Sequence, residues 1–118
     1  MLFAGVAVAD HPAAVTWYSR LFGRPPDIVP NEHEVMWRCT DSAWLYVIAD
    51  SGRAGRALVT LCVPDLDQAL AEITGRGVAA GPPQPVGDAG RKGVVTDPDG
   101  NTLAFIEVNQ PEPEQGSR

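Results

Sequence analysis

Apolar positions along this chain change period in an order that repeats. Leu2 to Ala9 is a short, valine-containing apolar run, as expected of a buried strand. Asp10 then caps a helix, with Pro12 in the first turn, where its missing N–H costs nothing. Val15, Tyr18, Leu21 and Phe22 recur at helical spacing and make one apolar face. Gly23 ends that helix, and Pro25-Pro26 block its continuation. Asp27 to Val29 is expected as a short edge strand and Asn31 to Glu34 as a polar loop. Val35 to Thr40 and Ala43 to Ile48 read as two strands joined at Asp41-Ser42. Asp50 to Arg56, with two glycines and two arginines, reads as a linker.

The pattern then restarts. Ala57 to Val63 is a second apolar strand. Asp65 caps a second helix, with Gln68 three residues on to complete a capping-box-like pair. Leu66, Ala69, Leu70 and Ile73 form its apolar face, and Gly75 and Gly77 terminate it. Val78 to Val86 is Pro/Gly-rich and extended. Lys92 to Thr96 and Thr102 to Val108 are strands around Asp97-Pro98-Asp99-Gly100, where proline presets φ, the aspartates can bond nearby N–H groups and glycine accepts positive φ. Val6-Ala7-Val8-Ala9-Asp10 aligns with Leu61-Cys62-Val63-Pro64-Asp65 at an offset of 55 residues. An internal repeat of this kind implies an α+β fold of two β-α-β-β-β modules. The expected architecture is a curved mixed sheet with helices on one face and a concave cavity on the other. Residues 1–50 form module one, 51–56 the linker and 57–109 module two of a single domain. Residues 110–118, which lack apolar side chains, are expected to be a disordered tail.

With 118 residues the chain is one domain built from two small units. Its net charge of −6 comes without a basic cluster, so binding to nucleic acid or to an anionic membrane is not expected. The apolar N-terminus has no basic flank and reads as a strand, not a signal peptide, and no run is long enough to span a membrane. Cys39 and Cys62 match no zinc spacing and read as buried free thiols, consistent with a reducing, cytoplasmic location.

The ordered set of V-x-D at Val8–Asp10, W-Y-x-x-L-F-G at Trp17–Gly23, V-x-D-L-D-x-A at Val63–Ala69 and D-P-D-G-N at Asp97–Asn101 resembles the vicinal oxygen chelate superfamily. That superfamily includes glyoxalase I, extradiol dioxygenases and bleomycin-resistance proteins, and the similarity covers about nine-tenths of the chain. Its enzymes hold a divalent metal with His and Glu from the first and fourth strands of each module. The resemblance carries those positions onto Phe3, Tyr46, Leu58 and Ala104. Carbon offers no donor and a lone phenol is a weak ligand, so no metal and no cofactor are expected. His11 opens a helix, and His33 lies in a polar loop between Glu32 and Glu34; both read as structural or solvated.

If Asp41-Ser42 is a two-residue hairpin loop, Cys39 pairs with Trp44 and Trp37 with Tyr46. Leu45 and Val47 suit the helix-covered face, so Trp37, Trp44 and Tyr46 face the cavity with Phe3. Aromatic faces stack on planar ligands and attract cations. The resemblance to the resistance branch then implies a homodimer that binds a small organic molecule, planar or cationic, without chemistry. The ligand-binding candidates are Phe3, Trp37, Trp44, Tyr46, Leu58 and Ala104, with no catalytic residue. Packing of a dimer interface, or simple filling of the cavity, accounts for the same aromatics equally well. Two rivals stand beside the binder. One is an enzyme, with metal ligands from other positions or with Tyr46 and Glu107 in metal-free acid–base chemistry. The other is a scaffold or regulatory module. Gly87 to Gly93 lacks the phosphate-loop pattern and is expected as a mobile loop at the cavity mouth. Arg38 is positioned either to pair with a carboxylate ligand or to reach past the core edge.

Overall fold

The computed structural model describes residues 1–109; the expected tail at 110–118 lies outside the described residues. The element order is β1 (Leu2–Val8), α1 (His11–Phe22), β2 (Ile28–Asn31), β3 (Glu34–Thr40), β4 (Ala43–Ala49), β5 (Leu58–Cys62), α2 (Leu66–Gly75), β6 (Gln84–Val86), β7 (Gly90–Thr96) and β8 (Thr102–Val108). This is the expected α+β arrangement of two β-α-β-β-β modules. Each module makes its own four-stranded sheet, in the orders β1-β4-β3-β2 and β5-β8-β7-β6, so the strands do not join into one continuous sheet. In each sheet the first and last strands of the module pair in parallel and the remaining pairs are antiparallel. No helix among the described residues is long and apolar enough to cross a membrane.

The helices begin where their caps dictate. The Asp10 carboxylate accepts from the Ala13 N–H at 3.1 Å, and that of Asp65 accepts from the Gln68 N–H at 3.0 Å. The Gln68 side chain does not return to its cap; it runs forward to Glu72 at 3.3 Å. The N-terminus of α2 is satisfied instead by Glu107, which accepts the Leu66 N–H at 2.7 Å. Gly23 ends α1 at φ +74, a left-handed conformation that glycine adopts without penalty.

Alternation sorts each strand into a covered and an open face. Val6 and Val8 of β1, Val35 and Trp37 of β3, and Leu45 and Val47 of β4 are buried together with Ala14, Tyr18 and Leu21 of α1. In module two, Leu103 and Phe105 pack with Leu66, Leu70 and Ile73 of α2.

The modules are joined by polar groups. The turn between β7 and β8 reaches onto module one, where Asp97 and Asn101 are buried. Tyr18 donates its hydroxyl to Asp97 at 2.8 Å, and the Asn101 amide donates to Ala7 O at 2.8 Å and to Asp97 at 2.8 Å. The side-chain carbonyl of Asn101 accepts from the Ala57 N–H at 2.8 Å. Arg76, at the end of α2, donates to the carbonyls of Arg20 and Leu21 at the end of α1. These bonds satisfy otherwise buried polar atoms at the seam.

The Gly87–Gly93 segment is largely not a loop. Residues 90–93 belong to β7, which pairs with β6 through Val86 and Gly90. Arg91 forms ion pairs with Asp67 and Glu107, which tie this hairpin to the start of α2.

Candidate functional site

The open face of the first sheet carries the aromatics. Phe3 pairs with Trp44, Gly5 with Tyr46 and Ala7 with Ile48 across β1 and β4. The Phe3 and Trp44 rings stack with centroids 6.2 Å apart and planes 13° from parallel, and Phe3 is 49% exposed. The Tyr46 ring lies across Gly5: a Cβ at that position would stand 2.5 Å from its Cζ. Glycine at position 5 is what lets the phenol lie flat on the neighbouring strand.

Next to this wall is a pocket of about 310 Å³ lined by Gly5, Ala7, Tyr46, Ile48, Asp50, Arg53, Arg56 and Ala57. Its polar end comes from the linker, and Arg53 Nε stands 3.6 Å from Asp50. Arg53 and Arg56 are absent from the residues expected to form the site. Their signal was two arginines, three residues apart, in a glycine-containing stretch of an otherwise acidic chain.

Trp37 is not part of the wall. It is fully buried on the helix-covered face, with its ring centroid 6.0 Å from that of Tyr18 and 5.4 Å from that of Phe22. Its indole N–H donates to Arg24 O at 3.1 Å. The expected register fails at one residue. Thr40 pairs with Ala43 as anticipated, but the ladder shifts before Arg38, which pairs with Trp44, so Trp37 opposes Leu45 and Met36 opposes Tyr46. The irregularity at Cys39 moves every earlier residue of β3 to the other face.

Leu58 lies on the open face of the second sheet and is 78% exposed; Ala104, from β8, is buried. The residue pairs Phe3–Tyr46 and Leu58–Ala104 therefore stand on two separate sheets. Cys62 is exposed and Cys39 only partly buried, which corrects the expectation of two buried thiols. Burial is the main cause that holds the Cys39 thiol above its ordinary pKa.

Phe3, Leu58 and Ala104 carry no donor atom, so the positions taken from the superfamily's metal ligands do not fit a divalent ion. Among the described residues no group of three or more His, Cys, Asp or Glu side chains is placed to hold one. The His11 ring lies 3.2 Å from Val47 O, and His33 is exposed 3.6 Å from Glu32. Glu107 caps α2 on the helix-covered side, so the proposed acid–base pair of Tyr46 and Glu107 is not brought together.

The sequence model of the Glyoxalase/Bleomycin resistance protein/Dioxygenase superfamily matches residues 2–105. Among solved structures, a glyoxalase/bleomycin resistance protein from Catenulispora acidiphila is 42% identical, covers 90% of this chain and 96% of its own, and superposes with a TM-score of 0.84. TnmS3, an antibiotic binding protein from a Streptomyces species, shares the fold at 23% identity, 91% and 93% coverage and a TM-score of 0.75. A bleomycin-binding protein complexed with bleomycin shares it at 18% identity, 89% and 95% coverage and a TM-score of 0.73. No curated protein matches the chain. A repeat of β-α-β-β-β modules, a family match over nearly the whole domain and a close structural relative agree: the chain belongs to the glyoxalase/bleomycin resistance protein/dioxygenase superfamily.

Proposed function

We propose that this protein is a cytoplasmic homodimer that binds a small, planar organic molecule on its open sheet faces, as a drug-binding or resistance protein would, without metal and without chemistry. The observation that carries the reading is the stack of Phe3 on Trp44, continued by Tyr46 and opening onto the pocket beside Arg53 and Arg56. Flat aromatic side chains offer a planar ligand large contact area at low entropic cost. The two arginines favour a neutral or acidic group at that end of the ligand and disfavour a cationic one there. Structures that share the fold are named as antibiotic-binding and bleomycin-binding proteins, which supports the same reading.

What the single chain leaves uncovered supports the homodimer. Phe3 and Leu58 are 49% and 78% exposed on the open faces of the two sheets. A two-fold partner that sets one open sheet against the other would cover them and enclose the ligand.

The test is a fluorescence titration with a panel of planar aromatic compounds, run beside a measurement of mass in solution. Saturable quenching that Tyr46→Ala weakens, together with a mass of two chains, is the expected result. A monomer that quenches with none of the panel would overturn the proposal.

A further inference from the structure

The turn between β7 and β8 ties the two modules at one end of their seam, and the matching turn of module one makes no such tie. At the tied end, five residues (Asp97 to Asn101) lie between the paired Thr96 and Thr102, and they reach across to Tyr18 and Ala7. At the corresponding place in module one, only Asp41 and Ser42 lie between the paired Thr40 and Ala43. A loop three residues shorter does not bridge to β5, and a cleft of about 350 Å³ remains between the sheets. That volume falls within the range of small-molecule sites, roughly 300–1,000 Å³.

The cleft opens at the gap between the two sheets and is lined from both faces, Trp44 included. Phe22, Cys39, Leu45, Val59, Leu61 and Phe105 line it, and Arg24 and Arg38 add two part-exposed guanidinium groups. Arg24 is bonded to Asp27 and to Arg38 O. Among the described residues the Arg38 guanidinium pairs with the fully exposed Asp41, at 3.4 Å, a surface contact that another carboxylate displaces at little cost. The apolar walls suit one or two fused rings, and a planar guanidinium is shaped to take two carboxylate oxygens at once.

We propose that this inter-module cleft is a second binding site, for a small aromatic carboxylate whose rings lie between the sheets and whose acid group is held by Arg38. The cleft shares Trp44 with the edge of the aromatic wall but neither Phe3 nor Tyr46, and it does not depend on the function proposed for the wall.

Cys39 lines the cleft and gives a direct readout. In a Cys62→Ser background, 2-naphthoate should slow the labelling of Cys39 by a bulky thiol reagent. Ala4→Phe, which fills the cleft from β1, should abolish that protection, and Tyr46→Ala on the open face should leave it intact. Arg38→Gln provides a second variant with little effect on packing. It should weaken 2-naphthoate about tenfold, the loss of one charge-assisted bond, and leave the neutral 2-naphthamide unchanged. Labelling that 2-naphthoate does not slow overturns the proposal. So does protection that disappears in Tyr46→Ala, or an equal response of acid and amide to Arg38→Gln.

Discussion

Tyr18 and Asp97 are 79 residues apart in the chain and 2.8 Å apart in the fold. The phenol is fully buried under the first sheet, and the carboxylate, 4% exposed, sits in the last turn of the second module. Asp97 also accepts from the backbone N–H groups of Asp99 and Asn101 and from the Asn101 amide. One aspartate therefore shapes its own turn and binds it to the opposite module.

Tyr18→Phe keeps the ring packing and removes one donor from a buried carboxylate. The expected cost is about 1–3 kcal/mol, read as a lower denaturant midpoint at unchanged slope. Asn101→Ala removes bonds to Ala7, Ala57 and Asp97 together and should cost about 3 kcal/mol. A loss under about 0.5 kcal/mol in both variants would mean that the seam is held by apolar packing alone.

Tyr18 also sets an alkaline limit. Burial, and then the bond to Asp97, raise its pKa far above the ordinary 10.0. A pKa raised in the folded state gives stability that is complete below the unfolded value and lost above it, because only the unfolded chain can ionise. Thermal melting should therefore fall more steeply above pH 10 in the wild type than in Tyr18→Phe. Parallel curves for the two proteins would refute this.

The aromatics divide into two classes by which face of the sheet they occupy. Trp37→Ala empties a core position and should cost about 3–5 kcal/mol of stability. Trp44→Ala and Tyr46→Ala should leave folding nearly intact and weaken a bound planar compound by roughly tenfold. Gly5→Ala should act like Tyr46→Ala, since the added methyl displaces the phenol from its place on β1.

Most of the fold was legible in the chain, because repeats, caps and strand periods are local signals. Asp10, Gly23, Asp65 and the DPDGN turn each mark an element boundary within a few residues of where it lies. The wall was legible in part: Phe3, Trp44 and Tyr46 share a face and Trp37 does not. The two-residue loop at Asp41-Ser42 was read correctly, but a bulge depends on the fit of β3 against α1, where Trp37 fills space beside Tyr18 and Phe22. Nothing in the local sequence at Cys39 announces it. Arg53 and Arg56 were hidden for another reason: a linker's path, unlike a strand's, has no period from which side-chain direction can be read.

Metal addition tests the donor argument directly. Ni²⁺, Zn²⁺, Mn²⁺ and Fe²⁺ should each leave the melting temperature unchanged, since three of the four positions taken from the superfamily carry only carbon. A saturable stabilisation would reveal ligands drawn from elsewhere in the assembly.

The bond from Asn101 to Ala7 also bears on how the molecule is made. Ala7 leaves the ribosome 94 residues ahead of Asn101. Until that turn emerges, the Ala7 carbonyl and the Tyr18 hydroxyl have no protein partner and must keep water in the seam between the modules. The first module is thus complete in sequence well before it can be dry inside. The first module therefore waits for the turn between β7 and β8, and a chain cut short before that turn yields a half that stays open to water.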